Sequence, residues 1–302
     1  MANSIISALN NQQVLISDGA WGTLLQEKGL EPGISPESWN IDFPEKVKEV
    51  AAAYIAAGSD MVETNSFGGS RFKLAHYGLD DKVWELNKRA AEISREAAGP
   101  DKIVMGSVGP TGVMLMMGEV SKEELYEAFK EQVMALAEGG ADAICIETMT
   151  ALDEAVLAIQ ATKAHTNLEV ICTMTFDKTI QGDFRTMMGV GPEQMVEELI
   201  AAGADIIGTN CGNGMENMIP IVETIRRVNS NIPILVHANA GLPHLHDGKN
   251  VFDETPEITA SYVPDLIKAG ANIIGGCCGT TPEHIKGIGQ KAKGKRRKTK
   301  DE

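Results

Sequence analysis

The chain has 302 residues, of which 43% are hydrophobic, 5% aromatic and 23% charged, and its formal net charge is −15. This size and composition predict one enzyme-sized globular domain, and the acidic balance argues against nucleic acid as a partner, because most of the surface would repel a polyanion. No apolar run reaches the roughly 18 residues that a membrane helix needs, and residues 1–13 lack the features of a signal peptide. We therefore expect no membrane association and a cytoplasmic location.

Eight short apolar stretches alternate with helical patterns from residue 14 onwards. The predicted strands lie at 14–20, 60–66, 102–110, 142–148, 168–176, 205–211, 233–240 and 271–278. The helical patterns between them include 44–58, 121–140, 191–203 and 258–270. The second of these helices opens with the capping-box pattern Ser121 to Glu124 and then places Leu125, Phe129 and Val133 on one face.

A weak internal repeat supports this count of strands. Sequences such as AAGSD at 56–60 and AAGAD at 201–205 end a helix with glycine and lead directly into the next strand. Strands that are apolar throughout are typical of a parallel sheet buried on both faces, so the pattern predicts a single-domain α/β fold, a (β/α)8 TIM barrel, over residues 1–292. The basic segment 293–302 is expected to be a disordered tail.

The five cysteines fall into two groups. An odd number in a chain of this length argues against a disulfide framework. Cys145 and Cys172 lie inside apolar strands and are predicted to be core residues. Cys211, Cys277 and Cys278 instead end predicted strands six and eight and adjoin glycines, which allow the backbone to leave the strand.

The carboxyl ends of parallel barrel strands meet on one face, which is where the functional residues of TIM barrels collect. Strands six and eight are separated by one strand, so we expect Cys211 to lie close to Cys277 and Cys278. Three thiolates can supply three ligands of a tetrahedral zinc and leave the fourth position open for chemistry. The alternatives are that these cysteines are small buried turn residues, or that the glycine-rich segment 275–284 binds phosphate at a helix start.

The strand ends carry the motifs DGAWGT at 18–23, ETNSFGG at 63–69, GSVGPTG at 106–112, ETMTALDEA at 147–155, TNCGNG at 209–214, HANAGLP at 237–243 and GGCCGTTPEHI at 275–285. Together these motifs resemble the homocysteine S-methyltransferase family, in particular the homocysteine-binding barrel of cobalamin-dependent methionine synthases. The resemblance covers about residues 12–292. It implies methyl transfer to the thiol of L-homocysteine, giving methionine, with Cys211, Cys277 and Cys278 as catalytic zinc ligands.

The resemblance also implies how homocysteine is held. Asp18 and Glu147 match acidic positions of the family and are expected to pair with the substrate's ammonium. Backbone N–H groups are the expected partners of its carboxylate, and those considered are at Gly19, Ala20, Gly106 and Ser107. Asn239 is expected near the zinc when substrate is absent, Glu63 and Asn65 are expected to support the site, and His237 is expected to be a core residue rather than a ligand.

The methyl donor is expected to come from outside the chain, because no corrinoid-binding DxHxxG signature and no adenosylmethionine-binding unit is found in the sequence. The likeness to methionine synthase favours a separate methyl-corrinoid protein. The alternative donors are small onium compounds, namely S-methylmethionine, adenosylmethionine or a betaine. A homocysteine-binding subunit without turnover also remains an alternative.

Overall fold

Eight parallel strands form a nearly closed barrel in the computed structural model, which describes residues 3–12, 14–246 and 249–296. The strands are β1 (Leu15–Ile16), β2 (Met61–Glu63), β3 (Ile103–Val108), β4 (Ala143–Met149), β5 (Glu169–Met174), β6 (Ile206–Asn210), β7 (Ile234–Ala238) and β8 (Ile273–Gly276). Neighbouring strands are hydrogen-bonded in the order 1-8-7-6-5-4-3-2. All eight predicted strands and the predicted TIM barrel are confirmed.

Asp60 bridges the seam between β1 and β2, which is where the ladder of strands is interrupted. Its backbone N–H donates to the carbonyl of Ile16 at 2.7 Å, and its carboxylate accepts the N–H of Ile16 at 3.0 Å. One acidic residue therefore satisfies both backbone groups of Ile16 where a strand would otherwise do so.

Helices surround the barrel, as the alternating pattern predicts. They are α1 (Ile5–Asn11), α2 (Trp21–Glu27), α3 (Trp39–Asp42), α4 (Pro44–Ala57), α5 (Arg71–Ala75), α6 (Val83–Ala98), α7 (Lys122–Glu138), α8 (Leu152–His165), α9 (Pro192–Ala202), α10 (Met215–Val228), α11 (Pro256–Ser261), α12 (Val263–Ala269) and α13 (Pro282–Arg296). Short 3-10 turns lie at Pro36–Ser38, Asp80–Lys82 and Leu115–Met117, and two small antiparallel ribbons pair Asp177–Lys178 with Phe184–Arg185 and His244–His246 with Lys249–Val251.

Helix α7 begins with the predicted capping box, and its predicted apolar face is buried. Ser121 Oγ accepts the N–H of Glu124 at 3.1 Å, and the Glu124 carboxylate accepts the N–H of Ser121 at 2.8 Å. Leu125, Phe129 and Val133 are fully buried in the core between strands and helices. The first turn and the packing of this helix thus follow from the local sequence.

The single helix predicted over 258–270 is wrong, because the chain forms two helices that meet at Tyr262. Pro264 has no N–H to donate to the carbonyl of Ala260, so the hydrogen-bond ladder breaks there. A second difference lies at the other end of the chain, where α13 continues to Arg296, four residues into the segment 293–302 that was expected to be disordered. Lysine and arginine are good helix formers and are favourable at a helix C-terminus. Residues 297–302 lie outside the described part of the chain.

The inside of the barrel is filled at its N-terminal end by an apolar cluster to which every strand contributes. Its members are Ile5, Leu15, Met61, Ile103, Met105, Ala143, Cys145, Ile171, Ile206, Leu235 and Ile273. Ile5 comes from α1, whose N-terminus is anchored on β5: the Ile5 N–H donates to Glu169 Oε2 at 2.6 Å and the Ser4 hydroxyl donates to Glu169 Oε1 at 2.6 Å. Helix α1 therefore closes this end of the barrel. No helix in the described residues is both long and apolar enough to cross a membrane.

Candidate metal centre and substrate pocket

Three cysteine thiols converge at the C-terminal end of the barrel. β6 ends at Asn210 and β8 ends at Gly276, so Cys211, Cys277 and Cys278 each come after a strand has ended. The Sγ atoms of Cys211 and Cys278 are 3.9 Å apart, as are those of Cys277 and Cys278, and all three lie within 4.8 Å of one another. The predicted meeting of the three cysteines is confirmed, whereas Cys145 and Cys172 are fully buried and outside the group.

Backbone hydrogen bonds hold the two cysteine loops against the strand between them. The N–H of Cys211 donates to the carbonyl of His237 at 2.9 Å, and the N–H of Cys277 donates to the carbonyl of Ala238 at 2.7 Å. Asn239 Oδ1 accepts the N–H of Cys278 at 3.1 Å. β7 and the residue that follows it therefore fix the separation between the thiols.

Two residues with positive φ turn the cysteine loops inward. Cys211 has φ 58°, which is unusual for a residue with a side chain, and Gly279 has φ 79°, which glycine adopts without strain. Thr280 completes the second turn, because its hydroxyl donates to the carbonyl of Cys277 at 2.6 Å. The break after Gly276 lets two consecutive cysteines face the same side, which a regular strand would prevent.

The thiols perturb one another strongly. Hydrogen bonds from Cys277 and Cys278 lower the pKa of Cys211 to about 3, with further contributions from Gly212 and Asn239. The pKa of Cys278 is raised to about 12, chiefly by its interaction with Cys211, and that of Cys277 is raised as well. The protein alone therefore accommodates one thiolate here, and a cation would be needed to stabilise all three in the charged form.

A cavity of about 260 Å³ opens beside the thiols at the C-terminal mouth of the barrel. Its walls come from the strand-end motifs and comprise Gly19, Ala20, Trp21, Gly22, Thr23, Pro36, Glu37, Glu63, Thr64, Asn65, Ser66, Phe67, Ser107, Glu147, Thr148, Cys211, Gly276, Cys277 and Cys278. The volume suits a ligand of the size of an amino acid. No lysine or arginine is among these described wall residues, so the cavity wall offers no such cation to support phosphate binding.

Three buried carboxyl groups lie close to one another at the cavity. Glu63 and Glu147 belong to its wall, whereas Asp18 lies beneath it and is completely buried. Burial raises the pKa of Asp18 to about 6 and that of Glu147 to about 7. The pKa of Glu63 is raised by burial and then by the charges of Glu147 and Asp18. A ligand that brings a positive charge would relieve this concentration of acids.

The carboxyl groups of Asp18 and Glu147 are held by fixed donors. Asp18 Oδ2 accepts the indole N–H of Trp21 at 2.9 Å and the backbone N–H of Glu63 at 2.7 Å. Glu147 accepts the hydroxyl of Ser107 on Oε1 and the amide of Asn210 on Oε2, the latter at 3.3 Å. Both carboxyl groups therefore have a defined orientation before a ligand binds.

Glu63 is more prominent than the sequence suggested. It was expected only to support the site, but it lies in the cavity wall, and its buried Oε1 has no hydrogen-bond partner within the described residues. That oxygen is 3.6 Å from Nδ1 of His237, a buried residue of β7 that lies outside the thiol cluster. The polar strand end ETN at 63–65 could have indicated this role, but Asp18 and Glu147 were already the expected partners of the substrate's ammonium.

The backbone groups considered for a ligand carboxylate differ in availability. The N–H of Ala20 donates to the carbonyl of Thr280 at 3.1 Å, and the N–H of Ser107 donates to Thr64 Oγ1 at 3.0 Å. Gly106 lies inside β3 and outside the cavity wall. Gly19 lines the cavity, and no hydrogen bond from its N–H is found within the described chain. Of the four, Gly19 is the best placed.

Exposed methionines lie in two loops that follow the C-terminal ends of strands. Met114, Met116 and Met117 follow β3, Met187 and Met188 follow β5, and their exposure ranges from 42% to 80%. We refer to these five residues as the methionine rim. The two loops flank the start of α8, because Thr111 donates to Glu154 on one side and Thr186 donates to the carbonyl of Thr150 on the other.

The parallel barrel and the thiol-lined pocket at the carboxyl ends of its strands define a (β/α)8-barrel enzyme. The family model described as homocysteine S-methyltransferase matches residues 15–292. The chain belongs to this family and is therefore a methyltransferase.

Individual relatives agree with this assignment. Methionine synthases of Mycobacterium leprae (strain TN) and Mycobacterium tuberculosis (strain ATCC 25618 / H37Rv) are each 32% identical to 92% of the chain, which spans only 24% of their length. The metallated form of the Escherichia coli homocysteine methyltransferase MmuM is 25% identical with a TM-score of 0.79, over 95% of this chain and 99% of that one. A methyltransferase from Methanosarcina mazei, 12% identical with a TM-score of 0.59 over 95% of each chain, shares the fold.

Proposed function

We propose that this protein transfers a methyl group to the thiol of L-homocysteine, giving methionine, at a zinc ion held by Cys211, Cys277 and Cys278. The convergence of three thiols beside a cavity lined by buried carboxyl groups is the observation that carries this proposal. The thiols suit a soft metal that binds sulfur, and the carboxyl groups suit an ammonium. Homocysteine carries both a thiol and an ammonium within the length of one amino acid.

The geometry of the thiols fits zinc. Zinc–sulfur bonds of about 2.3 Å in a tetrahedral arrangement place neighbouring sulfurs about 3.8 Å apart. The two separations measured between Sγ atoms are 3.9 Å. The donor set has three members rather than four, which is typical of catalytic rather than structural zinc sites. Cys211, Cys277 and Cys278 can therefore hold the ion without rearrangement of the barrel.

A zinc ion held by Cys211, Cys277 and Cys278 would keep the substrate's thiol deprotonated and nucleophilic near neutral pH. The chain's own residues would orient the substrate so that its sulfur lies beside these cysteines. The sulfur then forms its bond to the methyl carbon with its own electron pair, and the donor keeps the electrons of the bond that breaks. No side chain has to remove a proton from the methyl group.

The buried carboxyl groups supply the partners for the substrate's ammonium. Glu147 lies in the cavity wall with both oxygens oriented by Ser107 and Asn210, and Glu63 adds an oxygen without a hydrogen-bond partner in the described chain. Asp18 adds negative charge from beneath the wall. The N–H of Gly19 is the proposed partner of the carboxylate. Contacts at both ends of the amino acid would restrict its rotation and hold the thiol at the metal.

A methyl-corrinoid protein is the donor that the pocket and its surroundings support best. The corrin macrocycle is far larger than an amino acid, so it must stay outside the cavity of about 260 Å³ and approach across the mouth. The methionine rim offers an adaptable apolar surface for such a protein. Trp21 and Phe67 are the aromatic residues among the described cavity walls, which is a sparse lining for an onium cation.

The function is tested by supplying zinc-loaded protein and homocysteine with a methylated corrinoid protein, and with free methylcobalamin. S-methylmethionine, adenosylmethionine and glycine betaine are offered in parallel, and methionine is measured. We expect turnover with a corrinoid donor. Turnover with an onium compound alone would replace the donor and leave the rest standing, whereas binding of homocysteine without methionine from any donor would indicate a binding subunit.

A further inference from the structure

Asn210, the last residue of β6, makes four hydrogen bonds with its side chain. Oδ1 accepts the backbone N–H of Thr148 at 2.8 Å and the hydroxyl of Thr173 at 2.7 Å. Nδ2 donates to Oγ1 of Thr148 at 2.7 Å and to Oε2 of Glu147 at 3.3 Å. These bonds use both lone pairs and both protons of the carboxamide, which is completely buried. The side chain therefore has one permitted orientation.

The side chain joins two turns that have the same unusual backbone conformation. Thr148 has φ 62° and Cys211 has φ 58°, and no other non-glycine residue in the described ranges has a positive φ. A β-branched residue such as threonine is rarely found there, and the conformation has to be held by its surroundings. Asn210 holds Thr148 through two hydrogen bonds, and it directly precedes Cys211 in the chain.

The strained turn at Thr148 lies next to the carboxyl group that faces the cavity. The register of β4 against β5 is irregular between Ile146 and Met149, so Glu147 and Thr148 leave the regular ladder. Glu147 is then oriented from two sides, by the hydroxyl of Ser107 and by the amide of Asn210. Asn210 thus contacts the carboxyl group while its own backbone leads into the first metal-binding cysteine.

We propose that Asn210 is the positioning residue that sets the Glu147 carboxyl group at a fixed place relative to Cys211, and so makes the site select thiols that carry an α-ammonium. This inference rests on the proposed function. The ammonium and thiol of homocysteine lie a short chain apart, and a site that must engage both tolerates little change in their spacing. Ligands without the ammonium do not depend on that spacing.

The test measures binding rather than turnover, by calorimetry on zinc-loaded protein. Homocysteine is compared with 4-mercaptobutanoate, which has the same thiol and carboxylate but no amine. The dissociation constant of 4-mercaptobutanoate divided by that of homocysteine reports how strongly the site selects the ammonium. We expect Asn210→Ser to reduce this ratio by about tenfold, because the Glu147 carboxyl group loses its charge-assisted contact with the ammonium. The variant should bind 4-mercaptobutanoate as before and should retain its zinc. Thr209→Val is the matched control, because Thr209 is the buried neighbour of Asn210 in β6 and bonds to Met218 instead.

A double substitution tests whether Asn210 acts through Glu147. In a Glu147→Gln background, Asn210→Ser should change the ratio no further, because the carboxyl group that it positions is already gone. Equal weakening of both ligands, an unchanged ratio, or additive effects of the two substitutions would overturn the inference. If Asn210→Ser is insoluble, Thr148→Ala replaces it, because this substitution removes one acceptor of the Asn210 Nδ2 group. A ratio that falls threefold or more then supports the inference, and an unchanged ratio overturns it. Absence of homocysteine binding to the unsubstituted protein would instead reject the proposed function.

Discussion

Trp21 donates its indole N–H to Asp18 Oδ2 at 2.9 Å, which ties the first residue of α2 to the carboxyl group beneath the cavity. The same oxygen accepts the N–H of Glu63, and Oδ1 accepts the hydroxyl of Ser17 at 3.1 Å. These neutral donors only partly offset the cost of burying the charge, and the pKa of Asp18 is raised from 3.8 to about 6. Ionisation of Asp18 therefore lowers the stability of the folded protein.

Replacing Asp18 by Asn should stabilise the metal-free protein. Because the folded pKa lies above the unfolded value, the contribution of Asp18 to stability is fully present below pH 3.8 and is lost as the pH rises through about 6. Asn keeps an acceptor for Trp21 and a donor for Ser17, so we expect a gain on the order of 1 to 3 kcal/mol above about pH 7 that vanishes at low pH. Denaturant unfolding across this range measures it; equal stabilities at all pH values would contradict it. Homocysteine should bind more weakly to the same variant.

Zinc content should depend on three of the five cysteines. Single replacement of Cys211, Cys277 or Cys278 by Ala leaves two thiolates and should reduce zinc retention from about one ion per chain. Cys145→Ala and Cys172→Ala are the controls, because both residues are buried outside the cluster. Metal analysis of the reduced, purified variants decides the matter, and full zinc in all three of the first group would reject the site.

Binding of homocysteine should release protons from two sources. The thiol, with a pKa of about 8.5 when free, loses its proton near pH 7 as it reaches the metal. The ammonium favours the ionised forms of Asp18 and Glu147, whose pKa values are about 6 and 7. At about pH 6.5 homocysteine should therefore release more protons than 4-mercaptobutanoate. Calorimetry in buffers of different ionisation enthalpy measures both, and identical release would argue that the acids do not meet the amine.

Charges placed on the methionine rim should slow transfer from a protein donor. Met116→Glu and Met187→Glu introduce a carboxylate into the proposed docking surface and should raise KM for a methylated corrinoid protein by about tenfold, while KM for free methylcobalamin changes little. Val228→Glu is the control, since this exposed residue ends α10, at the opposite end of the barrel. Equal effects of all three variants on both donors would show that the rim is not a docking surface.

The fold and the thiol cluster could be predicted because each depends on local patterns. Eight apolar strands ending in polar motifs imply a barrel, and the separation of strands six and eight by one strand brings Cys211 to Cys277 and Cys278. The break between α11 and α12 could also have been expected from Pro264. These features follow from hydrogen bonding and periodicity within short segments.

The arrangement of the acids could not be predicted in the same way. The family resemblance implied equal roles for Asp18 and Glu147, but donors from Trp21 and Glu63 hold Asp18 beneath the wall, and Glu63 takes a place in the wall itself. The four bonds of Asn210 link β4, β5 and β6, and no pattern within one strand reveals them. Such contacts depend on the tertiary packing of strand ends that are far apart in sequence.

Ile5 of α1, held by its bond to Glu169, completes the apolar cluster that fills the N-terminal end of the barrel, and in the described residues the cavity is lined at the opposite, C-terminal ends of the strands. Under the proposed function, homocysteine and a protein donor would share this mouth of the barrel. Homocysteine would then have to load before a large donor covers the opening, and methionine would leave only after that donor has departed. Steady-state kinetics should accordingly follow a compulsory order, with excess unmethylated donor protein inhibiting by trapping the empty enzyme.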